Sequence, residues 1–211
     1  MADKKYDLIH REALYQGYYR VDRFYIRQQL EDGSWSDVFS REVFDGNKNA
    51  AVVLLFDPQQ DRVVMIEEFR PGPMSKGDDP FMIQAVAGVI NSGETAEETA
   101  RREAVEEAGC EVTDLQKIIA YYPCPGCVGE HITIFVGRTK APAPEEAGIK
   151  GLPEEGEIIK VLVLDAMKAI SLLYEGKLRD AASIIAMQWF SLHHTELRSR
   201  WLVSDASGAI I

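Results

Sequence analysis

The stretch from Gly88 to Cys110 constrains this 211-residue chain more than any other. Thr95 suits an N-cap, and Glu98, three positions on, completes a capping box. Gly109 suits the left-handed position that stops a helix. These signals predict a helix over 95–108. Ala96, Ala100, Ala104 and Ala108 recur every four residues and form a thin stripe, which lets the helix lie close to a sheet. Glu103, Glu106 and Glu107 stand at i, i+3 and i+4, so their carboxylates gather on one face and repel. Hard divalent cations with oxygen ligands remove that repulsion, and Arg102 beside them can hold a carboxylate in place. An acidic helix face is ordinarily just solvated. The spacing separates this one from the ordinary case: Gly88, Glu94, Arg102, Glu103, Glu106, Glu107 and Gly109 form a seven-position pattern. At average residue usage such a pattern has a chance on the order of 10⁻⁸ per starting point.

Around this segment the chain reads as mixed α/β. Residues Arg11 to Phe44 are extended, with Asp32-Gly33 as a hairpin turn and Trp35 to Phe44 as the returning strand. Asp45 to Asn49 is a polar break, so a small β-rich piece over 1–48 and a main domain over 49–211 are expected. Strands follow at 51–56, 62–69, 81–87, 115–122, 131–136 and 158–164. The segments 70–80 and 140–156 are loops rich in Pro and Gly. Helices are expected at 165–174 and at 181–198, the second amphipathic through Ile184, Ile185, Met187, Trp189 and Leu192.

Charge limits the partners. Lys and Arg number 23 against 34 Asp and Glu, a net −11, with no basic stripe for a phosphate backbone; nucleic-acid binding is not expected. An acidic protein can still take a small anion if divalent cations lie between them. No apolar run reaches the ~18–20 residues of a membrane helix. The start, Met1 to Asp7, lacks the apolar core of a signal peptide, so a cytoplasmic protein without membrane partners is expected. Three cysteines do not make a disulfide framework. Cys124-x2-Cys127 lacks the further ligands of a structural zinc site and reads as a turn. His193-His194 reads as a surface pair.

The segment resembles the Nudix box, the loop–helix–loop signature of Nudix hydrolases, at every fixed position. The resemblance implies a Nudix-type α/β/α sandwich behind the small N-terminal β-rich domain. It also implies an enzyme that hydrolyses a nucleoside diphosphate derivative with two to three Mg²⁺, or Mn²⁺. Carried over residue by residue, Glu103 and Glu107 are the main metal ligands, with the Ala87 carbonyl as a further one. Glu106 supports them, and Glu94 and Arg102 brace the loop and helix.

Outside the box the chain is similar to the bacterial ADP-ribose pyrophosphatases. The matching motifs are Tyr15-x-Gly17-Tyr18-Tyr19, Arg41-Glu42-Val43-Phe44, Phe56-Asp57-Pro58, Glu67-x-Phe69-Arg70, Gly176-Lys177 and Ala181 to Trp189. Pro125 stands 125 − 109 = 16 residues past the last box glycine, as in that subclass. The resemblance implies a homodimer that exchanges its N-terminal β piece. Tyr18 and Tyr19 then lie near the adenine, Arg41 and Arg70 approach the substrate, and Glu130 contacts the distal ribose. It implies further that Glu155, in the acidic loop after Gly151, positions or deprotonates the attacking water, with Glu154 as near competitor and Glu106 next. Glu157 is implied as an additional metal ligand. Two departures stand out: Cys124-Pro125-Gly126-Cys127 replaces a Ser-Pro-Gly-Gly turn, and an arginine that relatives carry near Gly46 is missing. The box sets the chemistry but not the leaving group. Another Nudix substrate, such as a nucleotide-sugar or dinucleotide, is therefore the alternative, and a non-catalytic ADP-ribose sensor is a second.

Overall fold

The computed structural model describes residues 5–44, 48–152 and 156–208, with side chains of the last helix up to Val203. The chain divides into two compact units, Met1–Asn49 with Tyr121–His131, and Ala50–Ala120 with Ile132–Ile211.

The first unit is a three-stranded antiparallel sheet in the order β1 (Tyr6–Gln16), β2 (Arg20–Gln28), β3 (Phe39–Phe44). Its first strand starts earlier than the hydrophobic pattern suggests, because its register is held by charge. Asp7 accepts from Arg27 at 2.7 Å, Glu12 from Arg23 at 3.1 Å, and the fully buried Asp22 carboxylate is paired by Arg11 and Arg20. A buried carboxylate needs such partners. The Asp32-Gly33 turn forms, with Gly33 at φ +86, but regular pairing resumes only at Phe39 beyond a single bridge from Gln29 to Trp35. Phe44 also makes a parallel bridge to Val128, which brings the 121–131 segment into this unit.

The second unit is built on one mixed sheet. Its order is β10 (Ile149–Lys150), β11 (Ile159–Asp165), β5 (Arg62–Phe69), β4 (Ala50–Asp57), β9 (Ile132–Thr139), β8 (Val112–Tyr121). The stretch 81–87, expected as one strand, is two: β6 (Phe81–Gln84) pairs with β5 and β7 (Val86–Val89) with β4. The break falls at Ala85, whose N–H leaves the ladder and donates to Ser183 Oγ at 2.8 Å. β4 pairs in parallel with β9 and antiparallel with β5 and β7.

Helices cover both faces, and the alternation of β4 assigns them. Ala51, Val53 and Leu55 pack with Ala100, Ala104 and Ala108 of α2 (Ala96–Ala108), together with Val64 and Ile66 of β5. Phe56, of opposite parity, meets Phe190 and Trp201 of the long last helix at 4.9 and 6.2 Å between ring centres. Successive strand residues face opposite ways, so the two helices sandwich the sheet. The remaining helices are short α1 (Pro71–Met74) and α3 (Pro144–Ala147), inside the two expected loops, then α4 (Ala166–Tyr174) and α5 (Ala181–Gly208). α5 runs ten residues past the expected end at 198. His194, expected at the surface, is only 14% exposed: its Nε2 lies 2.6 Å from Asp61 Oδ1 and its ring lies among Phe56 and Phe190. No described helix is long and apolar enough to cross a membrane.

Candidate active site

The box helix forms as its local signals dictate. Thr95 Oγ1 accepts from the Glu98 N–H, Glu98 returns a bond to the Thr95 N–H at 2.8 Å, and Gly109 ends the helix at φ +64. A box of this kind contributes about 1 kcal/mol and, more to the point here, fixes where the first turn begins. From that start the helix presents Arg102, Glu103, Glu106 and Glu107 on or beside one face.

Arg102 is the hub. Its Nε donates to Glu94 Oε1 at 2.9 Å, its Nη1 to Glu103 Oε1 at 2.7 Å and to Glu106 Oε2 at 2.8 Å, and its Nη2 to the Val89 carbonyl at 3.2 Å. One guanidinium thereby clamps the loop before the helix to two box glutamates. The Glu94 carboxyl is held down to about 2, first by its bond from Arg102. Glycine at position 88 leaves room for the Glu103 carboxylate, which a β-carbon there would displace.

Glu107 is buried, at 3% exposure, and its Oε2 accepts the Ala87 N–H at 3.0 Å. Desolvation pushes its carboxyl up to about 8, and the neighbouring charges of Glu103 and Glu68 add to the rise. Glu103 is raised as well, chiefly by burial and partly by Glu106 and Glu157. Glu157 is anchored by the Leu152 N–H, which donates to its Oε2 at 3.2 Å.

Glu68 is the residue that sequence reasoning missed. It continues the parity of Val64 and Ile66, the β5 positions packed under α2, so it points at the box helix. Burial raises its carboxyl, Arg70 lowers it, and Glu157 raises it further. Its Oε2 is buried and lies 2.8 Å from Arg70 Nη2, yet out of line for a hydrogen bond. Arg70 is held between this carboxylate and Gln84 Oε1, to which its Nε donates at 2.8 Å. The legible signal was the period of two along β5.

Glu68, Glu94, Glu103, Glu106, Glu107 and Glu157 thus share one neighbourhood with two cations, Arg70 and Arg102. Among the described residues no three of the carboxylates close on a single point as a finished metal cage. The donor set nonetheless fits hard cations. It is all oxygen, it carries excess negative charge, and it includes a buried Glu68 oxygen without a hydrogen bond and a buried, raised Glu107. Glu155 and Glu154 lie outside the described residues.

The other expected contacts fall in the first unit. Tyr18 and Tyr19 are exposed, meet edge to face at 4.8 Å, and Tyr19 leans on Phe44 at 4.8 Å. Lys48 Nζ stands 3.6 Å over the Tyr18 ring. Arg41 is exposed, lies over Phe39 at 4.8 Å and donates to the Ser40 carbonyl. Glu130 is half-buried, and burial raises its carboxyl.

Residues 46–204 match the NUDIX domain family model. The chain belongs to the Nudix family. Several relatives align along nearly the whole chain. It is 40% identical over 195 residues to the ADP-ribose pyrophosphatase of Escherichia coli K12, covering 92% of both. It is 31% identical to the ADP-ribose pyrophosphatase of Haemophilus influenzae, covering 92% of this chain and 90% of that one. It is 29% identical to the GDP-mannose pyrophosphatase of Yersinia enterocolitica, covering 90% and 96%. Among solved structures, one titled as an ADP compounds hydrolase superposes with a TM-score of 0.63 at 17% identity, over 89% of this chain and 95% of that one. That likeness speaks for the Nudix fold.

Proposed function

We propose that this Nudix hydrolase cleaves the diphosphate bond of ADP-ribose to AMP and ribose 5-phosphate in a Mg²⁺-dependent reaction. One observation carries the chemistry: a surplus of carboxylates, several of them buried, gathered around Arg102 beneath a box in which no glutamate is lost. The 40% identity to ADP-ribose pyrophosphatase supports the substrate.

In this reading Glu103, Glu107 and the Ala87 carbonyl hold two to three Mg²⁺, or Mn²⁺, with Glu106 in support and Glu157 and Glu68 at the margin. Cations held there would supply charge neutralisation and Lewis-acid polarisation to the diphosphate. Arg102 keeps Glu103 and Glu106 in place, so the ligands need little reorganisation. Arg70 approaches the phosphates, and Arg41 does so from the N-terminal piece. Tyr18 and Tyr19 flank the adenine, and Glu130 meets the hydroxyls of the distal ribose. Glu155 positions or deprotonates the attacking water. Residues 1–48 serve dimerisation and substrate contact, residues 49–211 serve hydrolysis, and the working form is a cytoplasmic homodimer.

The 29% identity to GDP-mannose pyrophosphatases favours a second reading, a nucleotide-sugar as substrate. AMP release from ADP-ribose, with and without Mg²⁺ and beside GDP-mannose and a dinucleotide, tests both. Mg²⁺-dependent AMP release with ADP-ribose as the preferred substrate is expected. No AMP release at saturating Mg²⁺ overturns the proposal.

A further inference from the structure

The segment that joins the first unit from far along the chain carries two cysteines in a turn. Cys127 N–H and Val128 N–H both donate to the Cys124 carbonyl, at 3.1 and 2.9 Å, so Pro125 and Gly126 form the bend between them. The Cys124 and Cys127 sulfurs are 3.3 Å apart, and both residues are exposed. A turn of this type brings its first and fourth α-carbons within ~7 Å. Bridged cysteines need an α-carbon separation of ~4.4–6.8 Å. Bond formation here thus asks for side-chain rotation, not chain rearrangement.

The turn is also wired to the rest of the unit. The Phe44 N–H donates to the Cys127 carbonyl at 2.8 Å, and the Gly129 N–H returns to the Phe44 carbonyl at 3.0 Å. The Phe44 ring supports Tyr19, which meets Tyr18. We propose that Cys124 and Cys127 are a reversible thiol–disulfide switch, set by exchange with low-molecular-weight disulfides, whose state is transmitted through the Cys127 carbonyl to Phe44.

The chemistry balances by exchange. The Cys124 sulfur attacks one sulfur of the small disulfide and releases one small thiol. The Cys127 sulfur then attacks Cys124 and releases the second. One S–S bond breaks and one forms, the cysteines lose two electrons to the small disulfide, and their two protons end on the released thiols. The Cys127 thiol is pushed up by its hydrogen bond with Cys124, and with the two sulfurs 3.3 Å apart the same exchange balances whichever of them attacks first. Cys110 is an internal control: it is buried at 1% exposure and its thiol is raised by burial.

The test uses the full chain, and neither readout depends on turnover, so its failure is distinct from failure of the functional reading. Incubation with glutathione disulfide, then alkylation and mass analysis, should show the 124–127 peptide short of two hydrogens and closed to alkylation, with dithiothreitol restoring it. Cys110 should be unreactive in both states of the native protein. Hydrogen exchange at the Phe44 amide should slow on the order of tenfold on oxidation, because closing the small ring restricts the open turn. Cys124→Ser and Cys127→Ser should each abolish ring closure and the exchange difference. A persistent glutathione adduct on the wild type, or cysteines that stay unmodified, overturns the switch. A disulfide that leaves Phe44 exchange unchanged overturns the coupling. The wild-type pair, reduced against oxidised, decides both points even if a variant fails to fold.

Discussion

Replacing Glu107 by Gln should make the metal-free protein more stable while removing its activity. Glu107 is buried, and its carboxyl moves from an ordinary 4.5 up to about 8, chiefly through desolvation. At ~1.36 kcal/mol per pH unit, that displacement disfavours the ionised folded chain by about 5 kcal/mol above pH 8. The sign follows from proton counts. Between 4.5 and 8 the folded state holds a proton that the unfolded state has lost, so stability from this group falls as pH rises through that window. Below 4.5 both states are protonated and no penalty remains; at pH 5 it is under ~1 kcal/mol. Glutamine keeps an oxygen for the Ala87 N–H and carries no charge. Its new amide donor needs a partner, which costs ~1–2 kcal/mol if none is found. A net gain of about 3 kcal/mol at pH 8 is expected, shrinking to nothing or a small loss at pH 5. Urea unfolding in EDTA at both pH values, at one fixed protein concentration, measures it. Turnover at saturating Mg²⁺ should fall on the order of 10³-fold. A variant no more stable than wild type at pH 8 refutes the buried-charge argument, and wild-type turnover refutes the ligand assignment.

Three further outcomes are expected. Gly88→Ala should displace Glu103 from Arg102 and cut kcat at least ~10-fold, since the added carbon occupies the carboxylate's place; kinetics equal to wild type would show that Glu103 can move freely. Glu155→Gln should lower kcat strongly and leave KM for ADP-ribose within a few-fold, Glu154→Gln should do much less, and Glu157→Gln should raise the Mg²⁺ requirement. A crippled Glu154→Gln would shift the base by one residue. Sedimentation should give twice the chain mass, and a fully active monomer would remove the exchanged-piece model.

The legible parts of this molecule were those whose causes are local. The signals for α2, Thr95, Glu98 and Gly109, lie within one short segment, so the helix and its acidic face could be read directly. Glu68 could not, because its meaning depends on which face of β5 lies under α2. The break at Ala85 depends on two different partner strands and on Ser183, 98 residues away. The start of β1 depends on ion pairs across the hairpin, which leave no hydrophobic period. The far end of α5 and the burial of His194 are set by contacts with Phe56 and Asp61, on a strand and turn made much earlier in the chain.

The parallel pairing of β4 with β9 has a consequence for biosynthesis. Ala50 pairs with Ile132, so the partner arrives 132 − 50 = 82 residues later. At ~5–20 residues per second a ribosome needs roughly 4–16 s to supply it. Through that interval β5 and β7 can occupy only one edge of β4. The other edge, on a run reading Ala50-Ala51-Val52-Val53-Leu54-Leu55-Phe56, stays open on the nascent chain. This strand is therefore the place where a holding chaperone, or slower translation across residues 57–131, changes the yield of native protein.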